Sequence, residues 1–176
     1  MKFNEQILFN LDKNTNYTLK NVLDFLNSLN YDLTNLSKQE REGKVFDKGI
    51  KDLIDQFTKD FGIPNSRGNL TNSILIQLIE ANKIIRAQRQ LKILNYFKDE
   101  PNGILDDETK IALIRFKVDN KFSKINGKLD KQTIDLLNEK INILNFLEEY
   151  TPVKINYKEL VTPEYVDQDG TLTVTK

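Results

Sequence analysis

Two acidic clusters contain the residues of this chain whose types and spacing could support catalysis. Three consecutive acids occupy 106–108, and Glu148 and Glu149 form a second group. Paired carboxylates can act as acid and base in glycoside hydrolysis. The first cluster, however, lies at a predicted helix start, where acids favour the positive end of the helix dipole, and the second lies at a predicted exposed helix end.

Other catalytic chemistry is limited by composition. The chain has no Cys and no His. Cys and His nucleophiles, a His general base and Cys- or His-ligated zinc are therefore excluded. We expect a protein that is not an enzyme, with no catalytic residue, no metal site and no cofactor.

A short signature opens two of the predicted helices. It reads Gly-x-Leu-Asp-x-x-Thr at 103–109 and 127–133, with weaker copies at 43–50 and 68–74. Asp106 is suited to cap a helix, because its carboxylate can accept hydrogen bonds from the free amides of the first turn. Thr109 can reach back as a variant of the capping box. Asp130 and Thr133 repeat the arrangement, so all four are predicted to be capping residues rather than ligands.

The signatures recur at a fixed distance, which indicates an internal repeat. An offset of 59 residues relates Asp47 to Asp106, Phe57 to Phe116, Gly68 to Gly127 and Leu70 to Leu129. Upstream, "LNSLNY" (26–31) matches "LKILNY" (91–96) at a larger offset, because the loop after the first is longer. We predict a mainly α fold with two tandem three-helix units, at 17–82 and 83–150. They lie between an N-terminal extended segment (1–16) and a C-terminal extended or β tail (151–176).

Apolar residues at helical spacing predict three helices in each unit. The expected ranges are 19–30, 48–61 and a helix after Thr71, then 83–96, 107–120 and a helix after Asp130. Phe57 and Phe116 lie on apolar helix faces and are predicted core residues. No Gly or Pro occurs between Thr71 and Tyr96, so that stretch could be one helix of about 25 residues. A break near Asn82 is the alternative.

Three short helices with this signature before the second and third, and an aromatic residue inside the second, resemble the peptidoglycan-binding domain of the type 1 family. "NGILDDETKIALIRF" and "INGKLDKQTIDLL" form the closer match, and "GKVFDKGIKDLIDQF" and "RGNLTNSILIQL" the looser one. The resemblance implies a non-catalytic module that holds cell-wall glycan or stem peptide. The family often has Gln after the aromatic, where this chain has Thr58 and Lys117. Ile50 replaces the Thr of the first unit's signature.

Side chains that could contact such a ligand lie near the ends and exposed sides of the predicted helices. In the second unit they are Tyr96, Asn102, Asp107 and Arg115, which could converge on a groove, and Tyr31 is the first-unit counterpart of Tyr96. Each tyrosine could instead close the core under the loop that follows it. Arg115 could be a solvated helix residue or an ion-pair partner.

Charge and hydropathy limit the other partners. With 26 basic and 26 acidic residues the net charge is zero, which removes the broad attraction expected of a nucleic-acid-binding protein. No run approaches the roughly 20 apolar residues that cross a bilayer, so no membrane insertion is expected. The N-terminus lacks the apolar stretch of a secretory signal. We therefore expect synthesis in the cytoplasm, then incorporation into a particle or delivery to the cell wall by a non-classical route.

Two functions remain open at this point. One is the wall-binding module. The other is a structural subunit of a phage-tail-like or contractile injection particle that uses the same fold for protein contacts. The period-two pattern of 151–176 around "DQDG" predicts strands, which could pair with a partner subunit or with the chain's own "KFNEQILFNL".

Overall fold

The computed structural model describes residues 8–12, 15–64 and 67–150. Two short strands, β1 (Leu8–Asp12) and β2 (Thr15–Thr18), pair antiparallel, with Leu8 opposite Thr18 and Phe9 opposite Tyr17. The helices of the described residues follow in chain order: α1 (Leu19–Ser28), α2 (Lys38–Arg41), α3 (Lys48–Asp60), α4 (Asn72–Ile93), α5 (Asp107–Asp119) and α6 (Lys131–Tyr150). The described part of the chain is thus mainly helical, as predicted.

Contacts group Met1–Asn138 into one compact body and Glu139–Lys176 into another. Of the second body, the described residues are the C-terminal part of α6. The predicted tail, 151–176, lies outside the described residues, as does 1–7 of the predicted N-terminal segment. No helix in the described ranges is long and apolar enough to cross a membrane.

The strand pair leads directly into α1. Thr18 ends β2 and caps α1. Its hydroxyl oxygen accepts from the Asn21 N–H at 3.1 Å, while its own N–H donates to Asn21 Oδ1 at 2.9 Å. A capping box therefore satisfies two backbone N–H groups at this helix start, those of Thr18 and Asn21.

The helix α4 runs without a break from Asn72 to Ile93, a length of about 33 Å at 1.5 Å per residue. Asn82, the predicted alternative break, is buried inside it. Its amide nitrogen donates to the Phe25 carbonyl at 3.0 Å and to the Leu78 carbonyl at 3.1 Å. The single-helix prediction is confirmed, and the side chain at the alternative break instead fastens α4 to α1.

Two apolar cores form within Met1–Asn138. The first lies between α1, α3 and the N-terminal half of α4, and Phe57 is fully buried in it. The second core consists of Ala87, Leu91, Phe97, Ala112, Leu113, Phe116, Phe122 and Leu137, from α4, α5, the start of α6 and two loops. Both phenylalanines are core residues, as predicted.

The signature residues cap their helices as predicted. Asp106 Oδ1 accepts from the Thr109 N–H at 2.8 Å and from the Thr109 hydroxyl at 2.6 Å. Asp130 and Thr133 repeat both bonds at 3.0 and 2.7 Å. The threonine thus bonds the capping carboxylate, not the capping backbone N–H that a capping box would use. Partial burial opposes ionisation of Asp106, but the bonds from Thr109 outweigh it and lower the pKa of this carboxyl.

Gly103 lies where the turn before α5 meets the first core. Its φ is +77°, in the left-handed region that favours glycine. A Cβ here would lie 2.7 Å from Leu29 Cδ2 and 3.1 Å from the Ala81 carbonyl oxygen. The signature glycine is therefore required both by the turn and by the close contact.

We expect Gly103→Ala to destabilise the protein by about 2–4 kcal/mol, of which roughly 1–2 kcal/mol is left-handed strain and the rest steric overlap. Gly62→Ala is the matched control, because Gly62 has a φ of +63° and nothing within 4 Å of its would-be Cβ. Urea unfolding of both variants measures the difference. Equal losses would show that the contact with Leu29 and Ala81 carries no cost.

Candidate functional site

A buried amide, Gln88 on α4, holds the turn that precedes α5. Its Oε1 accepts from the N–H groups of Asn102 at 2.9 Å and Gly103 at 2.8 Å. Its Nε2 donates to Asn102 Oδ1 at 2.9 Å, the Ile104 carbonyl at 3.0 Å and Thr109 Oγ1 at 2.8 Å. Because every polar atom of this side chain is used, Gln88 fixes the turn rather than offering a ligand contact.

Asn102, one of the predicted ligand contacts, belongs to that turn. Its Oδ1 accepts from the Ile104 N–H at 2.8 Å as well as from Gln88. Its exposed amide nitrogen lies 3.2 Å from Asp106 Oδ2. The structure therefore gives Asn102 a conformational role, and its contact with a ligand stays a prediction.

Lys117, which replaces the family's Gln, holds the loop between α5 and α6. Its side chain is 0% exposed. The ammonium donates to Asn126 Oδ1 at 3.0 Å, the Lys128 carbonyl at 2.7 Å and Asp130 Oδ2 at 2.9 Å. Three donors meet three acceptors, so the buried charge is fully hydrogen-bonded. The departure from the family pattern thus preserves the turn rather than disrupting it.

Both predicted tyrosines cover a core phenylalanine. The Tyr96 ring stands at 88° to that of Phe116, with centroids 5.4 Å apart, and the Tyr31 ring stands at 73° to that of Phe57, at 6.3 Å. The Tyr31 hydroxyl donates to Asp60 Oδ2 at 2.8 Å. Burial raises the pKa of Tyr31, and the bond to Asp60 raises it further. Burial also raises the pKa of Tyr96, and a hydrogen bond to Asp119 adds to this increase. This arrangement matches the alternative in which the tyrosines close the core.

The contacts of the predicted second-unit residues lie at different points along α5. Asp107 is the first residue of α5, with a side chain 91% exposed and paired with Lys110. Tyr96 bonds Asp119, the last residue of that helix, about 18 Å further along its axis. Arg115 is exposed on the same helix. The convergence of these side chains on one groove and the ligand role of each stay predictions.

A concave site that the sequence analysis missed lies between α4 and the start of α6. It has a volume of about 410 Å³, and its polar lining residues are Lys83, Arg86, Arg89, Gln90 and Asn138. Ala87 and Ile134 form an apolar floor. We call this site the basic cleft. The spacing of Lys83, Arg86 and Gln90, three and four residues apart on one helix face, is the signal that could have identified it.

The positive charge of the basic cleft is only partly compensated. Lys83 pairs with Glu80 at 2.6 Å, and an Arg89 nitrogen donates to the Ser28 carbonyl at 2.7 Å. Arg86 is exposed, and it makes no hydrogen bond or ion pair with any residue in the described part of the chain. None of the described residues that line the cleft is acidic. The site therefore suits an anionic group.

A second cleft, of about 630 Å³, lies beside Tyr31 in the first half of the chain. Asp32, Glu40 and Asp52 line it, with a single basic residue, Lys48. Lys48 pairs with Asp52 at 2.6 Å. The two clefts thus differ in charge, and the second does not suit an anion.

A family model described as a putative peptidoglycan binding domain matches residues 80–137. The match contains the second core, the two clear copies of the signature and most of the basic cleft. No curated protein and no solved structure matches the chain significantly. The segment 80–137 is therefore similar to a peptidoglycan-binding domain, and the resemblance is confirmed for that segment.

The bond between Lys117 and Asp130 predicts a pH-dependent stability. Hydrogen bonds from Lys117 and Thr133 lower the pKa of Asp130 from 3.8 to about 2. Because the pKa is lowered on folding, the ionised carboxylate stabilises the fold above about pH 4, and this contribution is lost as the pH falls towards 2. Asp130→Asn should therefore lower the free energy of unfolding at pH 7, and its difference from wild type should shrink between pH 4 and pH 2.

Urea unfolding from pH 7 to pH 2 measures this difference. Asp107→Asn is the control, since it removes an exposed carboxylate and should have only a small effect. A loss for Asp130→Asn that stays constant over the whole range would contradict the assigned role of its charge.

Proposed function

We propose that this chain is a non-catalytic peptidoglycan-binding protein. The observation that carries the proposal is the family match at 80–137, which falls on three helical segments packed around Phe116 with both signature caps formed. Peptidoglycan glycan or stem peptide is the ligand that this family implies. The signature supplies the fold of the module, and the open surface between its helices supplies the binding site.

The proposal that the protein is not an enzyme follows from its composition and the use of its acids. Without Cys or His, a carboxylate pair is one route to glycoside hydrolysis that the composition leaves open. Asp106 and Asp130 are engaged in capping bonds with threonines. Asp107 pairs with Lys110 on the surface of α5. No described carboxylate lines the basic cleft. The three that line the second cleft are engaged: Asp32 accepts from the Thr34 N–H, Glu40 accepts from the N–H groups of Ser37 and Ile50, and Asp52 pairs with Lys48.

We further propose that residues 17–82 form a second, diverged copy of the module. Asn30 and Asn95 end the first helix of each copy with φ values of 67° and 64°. The N–H groups of the tyrosines that follow, Tyr31 and Tyr96, both donate to a carbonyl five residues earlier, at 3.1 and 2.8 Å. The same chain reversal thus places an aromatic ring against the core of each copy.

The glycines of the signature before the third helix correspond in the same way. A Cβ on Gly68 would lie 2.5 Å from Lys51 Cβ, and one on Gly127 would lie 2.6 Å from Lys110 Cβ. The two lysines are themselves 59 residues apart, like the glycines. Equivalent glycines therefore pack against equivalent positions of the second helix, which supports duplication of one unit.

We expect the full chain to co-sediment saturably with purified sacculi and to leave the turbidity of a wall suspension unchanged. Insoluble cellulose is the control for unspecific adsorption. Loss of turbidity would contradict the non-catalytic proposal. If the chain sediments with no sacculi from walls of differing chemistry, the proposed function is wrong, while the fold is unaffected.

The alternative function is a structural subunit of a phage-tail-like or contractile injection particle. The observation that favours it is an apolar stripe on the outer face of α5, where Ile111, Ile114 and Val118 are 39%, 37% and 51% exposed. Their spacing of three and four residues places them on one side of the helix. Such a stripe suits a protein contact better than a glycan. Contacts through 151–176 remain a further proposal.

This alternative predicts that Ile111→Ser together with Val118→Ser abolishes incorporation into the particle. The side chains are exposed, so we expect the free energy of unfolding to change by less than about 1 kcal/mol. Co-purification with sheath and tube proteins, identified by mass spectrometry, is the measurement. Unchanged incorporation of the double variant, or wild-type protein that never accompanies such particles, would contradict it.

A further inference from the structure

The basic cleft concentrates positive charge that the described part of the fold uses only in part. The chain has a net charge of zero, yet Lys83, Arg86 and Arg89 line one cleft that contains no acid. Arg89 is anchored to the Ser28 carbonyl, which fixes one guanidinium at the edge. Arg86 keeps its donors available, because no described residue bonds to them.

The chemistry of these side chains selects among the parts of peptidoglycan. A guanidinium binds a carboxylate through two parallel hydrogen bonds. The glycan strand offers mainly neutral hydroxyl and acetamido groups, whereas stem peptides have free carboxylates. Clefts of about 300–1,000 Å³ hold small ligands, so the 410 Å³ of the basic cleft suits the end of a peptide rather than a polymer.

The apolar floor is consistent with a small side chain next to that carboxylate. Ala87 is buried and Ile134 is half-buried beneath the basic residues. Gln90 donates to Asn138 at 2.7 Å across the two helices, which places amide groups beside the floor. A methyl group can rest on the floor while the carboxylate contacts Arg86.

Resting on the proposed function, we infer that the basic cleft binds the carboxylate end of a stem peptide, with Arg86 as the main contact and Lys83 contributing charge. The glycan strand is not recognised at this cleft. The second cleft, beside Tyr31, is lined by three carboxylates and does not suit another carboxylate. We therefore infer that the two copies bind different ligands even where their folds correspond.

The test uses the full chain and a synthetic stem tetrapeptide that ends in D-alanine. Binding is followed by amide chemical shifts and calorimetry. We expect shifts in α4 and at the start of α6. The same peptide with its carboxylates amidated should bind about 10- to 100-fold more weakly, since bonds to charged groups are worth about 1.5–3 kcal/mol.

Variants locate the contact. Arg86→Gln should weaken binding of the free-acid peptide by a similar factor, and Arg86→Lys should restore part of it because the charge returns without the planar fork. Lys124→Gln is the control, since it removes one exposed positive charge from the matched segment outside the cleft. Thermal unfolding of Arg86→Gln should be unchanged, because Arg86 makes no bond to a described residue.

Three outcomes would overturn the inference: equal binding of acid and amidated peptides, equal binding of Arg86→Gln and wild type, or displacement from sacculi by neutral N-acetylglucosamine oligosaccharides instead of peptide. In each of these three cases sacculus binding itself survives, and so does the proposed function. Loss of sacculus binding when teichoic acids are stripped would overturn the inference and the proposed function together, because the bound anion would then be a phosphate outside the peptidoglycan. If neither sacculi nor the peptide binds, both proposals fail.

Discussion

The unbroken helix α4 is the constraint on which the two cores of Met1–Asn138 depend. Its N-terminal half supplies Ile74, Leu75 and Leu78 to the first core, and its C-terminal half supplies Ala87 and Leu91 to the second. A break in the middle would leave each core with a separate helix and an added loop to order. Continuous backbone hydrogen bonding removes that cost.

Buried polar side chains then connect the turns to this framework. Asn82 bonds a carbonyl at the end of α1, Gln88 bonds the turn before α5, and Lys117 bonds the loop before α6. Each of these side chains supplies a hydrogen-bond partner to backbone groups that would otherwise be buried without one. Because several bonds converge on each side chain, removal of one would leave several groups unsatisfied.

The hydrogen bonds that each side chain already makes distinguish structural residues from candidate binding residues. Asp106, Asp130 and Asn102 have the types expected of ligand contacts, but their polar atoms face the caps and turns of their own helices. Arg86 makes no such bond within the described residues, and none of the described residues lining its cleft is acidic. The proposed ligand contact therefore lies on a helix face rather than in the signature loops.

Local sequence patterns by themselves predicted much of this structure. The helices, the Asp–Thr caps, the burial of Phe57 and Phe116 and the resemblance at 80–137 all follow from residues within a few positions of one another, where capping geometry and helical spacing apply directly. The continuity of α4 followed from the absence of Gly and Pro. The role of Lys117 did not, because its acceptors lie 9 to 13 residues away and only the folded loop brings them to it. The proximity of Tyr96 to Asp119, the last residue of α5, also depends on the folded chain, because the two residues are far apart in sequence. The basic cleft could not be predicted in this way, because both α4 and α6 contribute to its lining. Only the folded chain brings α6 beside Lys83, Arg86 and Arg89.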